Sequence, residues 1–142
     1  MTVPTQIFLN LPIADLAVSR KFYTDLGYTI NEAFSGETAA SVVISDTIYL
    51  MLLTPDFFAT FLTDTAAADA KKLTGGIFAL SVESREAADR LADAALAAGG
   101  SAARDPEDMG FMYSRSFRDP DGHFWEVFWM DPQAAQDGPP SE

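Results

Sequence analysis

The sequence predicts an α+β fold. Two similar halves, each reading strand, helix and then three strands, close a cupped, roughly eight-stranded mixed sheet with the helices on its outside. Three observations carry this. Two helix-period stretches, opened by the capping residues Asp15 and Ser84, each follow a short apolar strand. The whole pattern recurs with a period of about 70 residues. A last turn, Asp119-Pro120-Asp121-Gly122, launches an aromatic and β-branched run from His123 to Met130 with a carboxylate, Glu126, inside it. A half with four strands and one helix has an uncovered sheet face, and two such halves hide edges and create a concave site.

Taken in order, Thr5 to Leu11 is a strand stopped by Pro12, which has no N–H to give a ladder. Asp15 caps a helix from Leu16 to Leu26, with Val18, Phe22 and Leu26 on one stripe, Tyr23 widening it and Gly27 as the stop. Strands follow at Tyr28–Phe34, Ala39–Ile44 and Ile48–Leu53, the last two joined by a turn at Ser45-Asp46-Thr47. Residues 55–74 are a connector: Asp56 to Leu62 forms one or two helical turns, and the alanine-rich Thr65 to Lys72 is solvated and weakly helical. Phe57, Phe58 and Phe61 of that connector are expected to pack over the sheet or in a subunit interface. The second half repeats the order, with a strand at Gly76–Val82 and a helix from Ser84 to about Ala98 closed by Gly99-Gly100. Its remaining strands are Ser101–Arg104, Phe111–Arg118 and His123–Met130. Residues 1–131 thus read as one domain, with modules 5–54 and 75–131, and 132–142 as a flexible tail.

Composition removes several function classes. The 142 residues are one domain's worth of chain, and 48% hydrophobic content marks a globular protein. A net charge of −12 argues against nucleic acid, whose phosphates need Lys and Arg clusters. That charge serves solubility first, and it also suits a cationic ligand by long-range attraction. With no cysteine there is no disulfide, thiolate metal site or cysteine nucleophile. No basic segment followed by a long apolar run opens the chain, so neither a secretory leader nor a membrane helix is expected and a cytoplasmic location is. The single histidine, His123, falls on the strand face opposite Glu126, so no Ser/His/Asp-type set is expected around that carboxylate, and Gly75-Gly76 and Gly99-Gly100 lack phosphate-loop spacing.

The chain resembles the vicinal oxygen chelate superfamily, which includes glyoxalase I, bleomycin-resistance proteins and extradiol dioxygenases. The resemblance rests on Leu11-Pro12-Ile13-Ala14-Asp15-Leu16, Ser19, Phe22-Tyr23, Leu26-Gly27-Tyr28, Ala79-Leu80-Ser81-Val82, Gly99-Gly100 and Asp119-Pro120-Asp121-Gly122, with Glu126 four residues beyond that glycine. It looks closest to the predicted lactoylglutathione lyase-like branch. It implies paired βαβββ modules and, in metal-dependent members, an open nitrogen/oxygen site for a divalent ion built from the first and last strands of each module. Those positions fall on Phe8, Met51, Ile77 and Glu126, and only Glu126 carries a competent ligand. No cofactor is therefore expected; a divalent ion, if one is held, belongs near Glu126. The resemblance also implies a homodimer, as do the three connector phenylalanines; light scattering at micromolar concentration that gave only a monomer would count against it.

Strand parity groups the candidate residues. Phe124, Glu126, Phe128 and Met130 share one face of the last strand, and His123, Trp125, Val127 and Trp129 the other, where Trp125 and Trp129 are expected to pack against a helix. Asn10 shares a face with Phe8. Glu126 admits two readings: the polar anchor or general base of a cavity, or a structural carboxylate paired to an arginine, with Arg115 the obvious partner. On this reading Asn10, Arg115 and Glu126 converge on one cavity walled by Phe8, Met51, Ile77 and Tyr113. Three functions follow: a binding protein for a small molecule without metal chemistry, a metal-dependent lyase or dioxygenase, or a metal-free enzyme with Glu126 as base.

Overall fold

In the computed structural model, which describes residues 3–141, the chain divides into two units, Met1–Asp69 and Ala70–Glu142. The first unit begins with β1 (Ile7–Pro12), an edge strand on which Pro12 takes the last place without breaking a central ladder. Asp15 then accepts a hydrogen bond from the Val18 N–H at 3.2 Å and opens α1 (Leu16–Asp25). β2 (Thr29–Asn31), β3 (Ala39–Val43) and β4 (Ile48–Leu53) complete a four-stranded sheet in the order β1-β4-β3-β2, with β1 parallel to β4. The expected long second strand is shortened because the Asn31 side chain caps a 3-10 turn at Glu32–Phe34. Helix α1 lies against β2, β3 and β4 and buries Phe22 and Tyr23, while Val42, Leu50 and Leu52 are fully buried among the strands. The connector holds one short helix, α2 (Pro55–Ala59), against β1. Thr65 to Lys72, expected to be weakly helical, is exposed non-helical chain apart from half-buried Ala70; alanine propensity without a cap or a packed face does not sustain a helix. Phe57 and Phe58 are half-buried and Phe61 stays 64% exposed.

The second unit repeats the plan. β5 (Ile77–Ser81) leads to Ser84, whose hydroxyl accepts from the Ala87 N–H at 3.0 Å and opens α3 (Arg85–Ala97). The outer edge consists of two two-residue strands, β6 (Ser101–Ala102) and β7 (Glu107–Asp108), both paired to β8 (Met112–Arg118). β9 (Phe124–Met130) sits between β8 and β5, parallel to β5. Helix α3 packs on β8 and β9, burying Ala88, Ala92 and Ala95 against Phe117, Trp125 and Val127. These are two βαβββ modules of mixed α+β character, with sheets of four and five strands. The tail, expected to fray, instead forms α4 (Pro132–Asp137): Asp131 accepts from the Gln133 N–H at 2.9 Å and Pro132 stands in the first turn, where its missing N–H costs nothing. Among the described residues no helix is long and apolar enough to cross a membrane.

Candidate functional site

Each sheet has one face under its helix and one face without it, and the candidate residues sort by that division. On the first sheet the register sets Phe8 beside Tyr49, and Asn10 beside Met51, which neighbours Ser41 on the next strand. Period-2 geometry puts this set opposite the buried Leu50 and Leu52. The Phe8 and Tyr49 rings stack at 4.8 Å with planes 10° apart, yet Phe8 remains 51% exposed. Asn10, Met51, Ser41, Asn31, Gln6 and Phe34 join that stacked pair around a hollow of about 500 Å³. No lining side chain carries a formal charge. Asn10 donates through Nδ2 to the Phe8 carbonyl at 3.1 Å, and Gln6 donates to the Asp46 carbonyl at 3.1 Å, so the two amides are oriented by backbone. Phe8, Asn10 and Met51 are thus brought together, with Tyr49, Asn31 and Ser41 as members that sequence reasoning did not place.

On the second sheet Glu126 lies on the face away from α3, as parity requires, with Trp125 and Val127 buried on the other side. Ile77 and Ala79, paired to Phe124 and Glu126, share its face. Glu126 does not pair with Arg115. The β8–β9 register sets Ser116 opposite Glu126 and Arg115 opposite Val127, because a five-residue turn, 119–123, joins Arg118 to its partner Phe124. Directly opposed residues point to the same face, so Arg115 and Tyr113 belong under α3 and not beside Glu126. There Arg115 donates to Asp89 at 2.8 Å and to Asp93 at 2.9 Å, one helical turn apart, while the Tyr113 hydroxyl donates to Asp89 at 2.6 Å. The expected convergence of Arg115 and Tyr113 with Glu126 is corrected accordingly: both are clamps between helix and sheet. A second clamp sets Arg85 5.4 Å above the Tyr113 ring and 5.0 Å above the Trp129 ring, with a 2.7 Å bond to Asp108.

The partner of Glu126 is Arg104, whose Nη2 lies 2.5 Å from Oε1. Arg104 stands in the break between β6 and β7, which no local sequence pattern marks. Its backbone is held by the Ser116 hydroxyl, which accepts from the Arg104 N–H at 3.0 Å and donates to the Arg104 carbonyl at 3.2 Å. The family's divalent ion does not fit these residues. Phe8, Met51 and Ile77 offer no donor, the one competent carboxylate already faces a guanidinium, and among the described residues no group of three His, Cys, Asp or Glu is assembled.

The clamps give the protein an acid response. The Tyr113 hydroxyl, followed by the Arg115 guanidinium, holds the Asp89 carboxyl below its ordinary value. A carboxyl depressed in the folded state stabilises above its unfolded pKa of about 4, and that contribution is lost as pH falls through the lower folded value. Arg115→Ala is expected to cost about 1–2 kcal/mol at neutral pH, modest because both aspartates stay solvated. In urea unfolding the gap between wild type and variant should narrow as pH falls below the ordinary carboxylate range, and a gap that does not change with pH would contradict the assignment.

Two pseudo-repeated βαβββ units, each with one sheet face free of its helix, define the class of fold. The chain belongs to the Glyoxalase/Bleomycin resistance protein/Dioxygenase superfamily, whose pattern matches residues 6–127. Among solved structures it is similar to hypothetical protein SA1046 from S. aureus, with 23% identity over 90% of this chain and 95% of that one and a TM-score of 0.74. It is also similar to a glyoxalase/bleomycin resistance protein/dioxygenase family enzyme from Burkholderia phytofirmans PsJN, with 16% identity, 87% and 96% coverage and a TM-score of 0.71. A third is the fosfomycin resistance protein FosX from Mesorhizobium loti, with 14% identity, 95% and 99% coverage and a TM-score of 0.66. At these identities the likeness is one of fold. No curated protein matches the sequence.

Proposed function

We propose that this protein binds a small, uncharged, largely apolar molecule on the bare face of its first sheet, without the metal chemistry of its superfamily. One observation carries the reading: a hollow of about 500 Å³ lined by stacked Phe8 and Tyr49, by Met51 and Phe34, and by amide and hydroxyl groups with no formal charge. Aromatic walls with a few oriented polar groups select by shape and hydrogen bonding. The −12 net charge adds a long-range preference for cations but supplies no carboxylate inside this hollow. A lactoylglutathione lyase-like or dioxygenase activity would need a metal that these residues do not hold. A metal-free enzyme using Glu126 as base would first have to free it from Arg104.

The test is an NMR titration of the whole chain with naphthamide, and with naphthoate and naphthylmethylamine as its charged counterparts. Naphthamide is expected to shift the Phe8, Asn10 and Met51 amides saturably, and Phe8→Ala should weaken it about tenfold or more, the scale of a lost aromatic contact. Saturable shifts confined to other residues, or a Phe8→Ala variant that binds as well as wild type, would overturn the reading.

A further inference from the structure

We propose that Arg104, the guanidinium beside Glu126 on the second sheet's bare face, holds the carboxylate of a small organic acid there, while Arg118 on the same face stays over the Phe124 ring and on the Gly122 carbonyl. Every residue involved belongs to the second unit, so failure here leaves the first-sheet reading standing, and the reverse. Where the family would need a metal beside Glu126, this chain has a guanidinium at 2.5 Å. A fixed positive charge can meet a ligand oxygen without any ion being recruited. Arg104 is fixed at both ends by one row of the sheet: Ser116 grips its backbone N–H and carbonyl, and Ser116's cross-strand partner Glu126 takes its Nη2. Such anchoring lowers the entropy lost when a ligand docks.

The other edge of the fork is available. A guanidinium has five N–H donors in one plane. Nη1 only leans on Glu107 at 3.5 Å, and both side chains are about half exposed, 48% and 46%. Exposed pairs of this kind hold weakly, so Glu107 acts as an internal placeholder that a ligand carboxylate can replace. A planar carboxylate matches the fork in a two-point bond that a lone oxygen or an amide does not. The body of the acid has a bed. Phe128 flanks Glu126 on the same face, and Ile77 beside Phe124 is 55% exposed, while the Phe124 ring itself is capped by Arg118 at 4.9 Å. The class of ligand is therefore a small aromatic or branched monocarboxylate, opposite in charge to the one that Glu126 alone would attract.

The experiment titrates the full chain at low salt with benzoate, benzamide and benzylamine, reading the Arg104 Nε–Hε signal and the Ser116 and Glu126 amides by NMR. Benzoate is expected to give saturable shifts, benzamide shifts at least about tenfold weaker, and benzylamine none at this face. R104Q should weaken benzoate about tenfold or more, R104K should fall between it and wild type, and E107Q should strengthen benzoate about two- to fivefold. If R104Q does not fold, R104K and E107Q carry the comparison. Benzylamine binding in preference at this face, benzoate binding unchanged in R104Q or R104K, benzoate binding unchanged in E107Q, or no saturable benzoate response at tens of millimolar would each overturn the proposal.

Discussion

Replacing Gly122 with alanine is expected to destabilise the protein by about 3 kcal/mol, lowering its melting temperature by roughly 10 °C. Two costs add. Gly122 has φ +95°, where an L side chain costs about 1–2 kcal/mol. A Cβ built there would lie 2.7 Å from the Ala70 carbonyl oxygen and 2.8 Å from the Lys71 nitrogen. Those are backbone atoms, which cannot swing aside as a side-chain tip does. The turn itself is tightly specified: the Asp119 carboxylate accepts from the Asp121 N–H at 3.0 Å and the His123 N–H at 2.9 Å. Gly122 must therefore stay where it is, four residues before Glu126. Thermal unfolding by circular dichroism checks this, and a loss of less than about 1 kcal/mol would mean that the 70–71 segment yields.

Trp125→Ala is expected to cost more, about 3–5 kcal/mol, the usual range for emptying a large buried aromatic site. The ring is 1% exposed, 5.2 Å from the Phe78 ring, and paired across the ladder with buried Phe117. The effect also reports strand parity, because the same substitution at Glu126, one residue on, removes no core contact. Glu126→Ala should cost about 1 kcal/mol, set by its half-exposed partner Arg104. Denaturant unfolding of the two variants should therefore differ several-fold. Equal costs would mean that the two faces of β9 are not divided as described.

What the sequence made legible is what local physics determines. The caps Asp15 and Ser84, the helices they open and the strand-helix-three-strand repeat all follow from period and capping, whereas the grouping of Phe8, Asn10 and Met51 rests on the family resemblance joined to strand parity. Glu126 was placed on the correct face by the same alternation. The pairing across β8 and β9 was not legible, since one residue more or less in the turn decides whether Arg115 or Ser116 opposes Glu126. Arg104 was missed because its position depends on a break between two two-residue strands, 22 residues from its partner in sequence. The final helix had a readable signal, Asp131 followed by Pro132, which the polar composition after it obscured.

The Glu126 carboxylate is committed to Arg104 rather than to a metal. Elemental analysis of the purified protein, followed by calorimetric titration with zinc, nickel, manganese and iron(II), tests this most directly. The expected result is no stoichiometric metal, no saturable binding with released heat, and no lactoylglutathione lyase activity with any of the four ions. About one tightly held ion per chain, lost on Glu126→Gln, would contradict it.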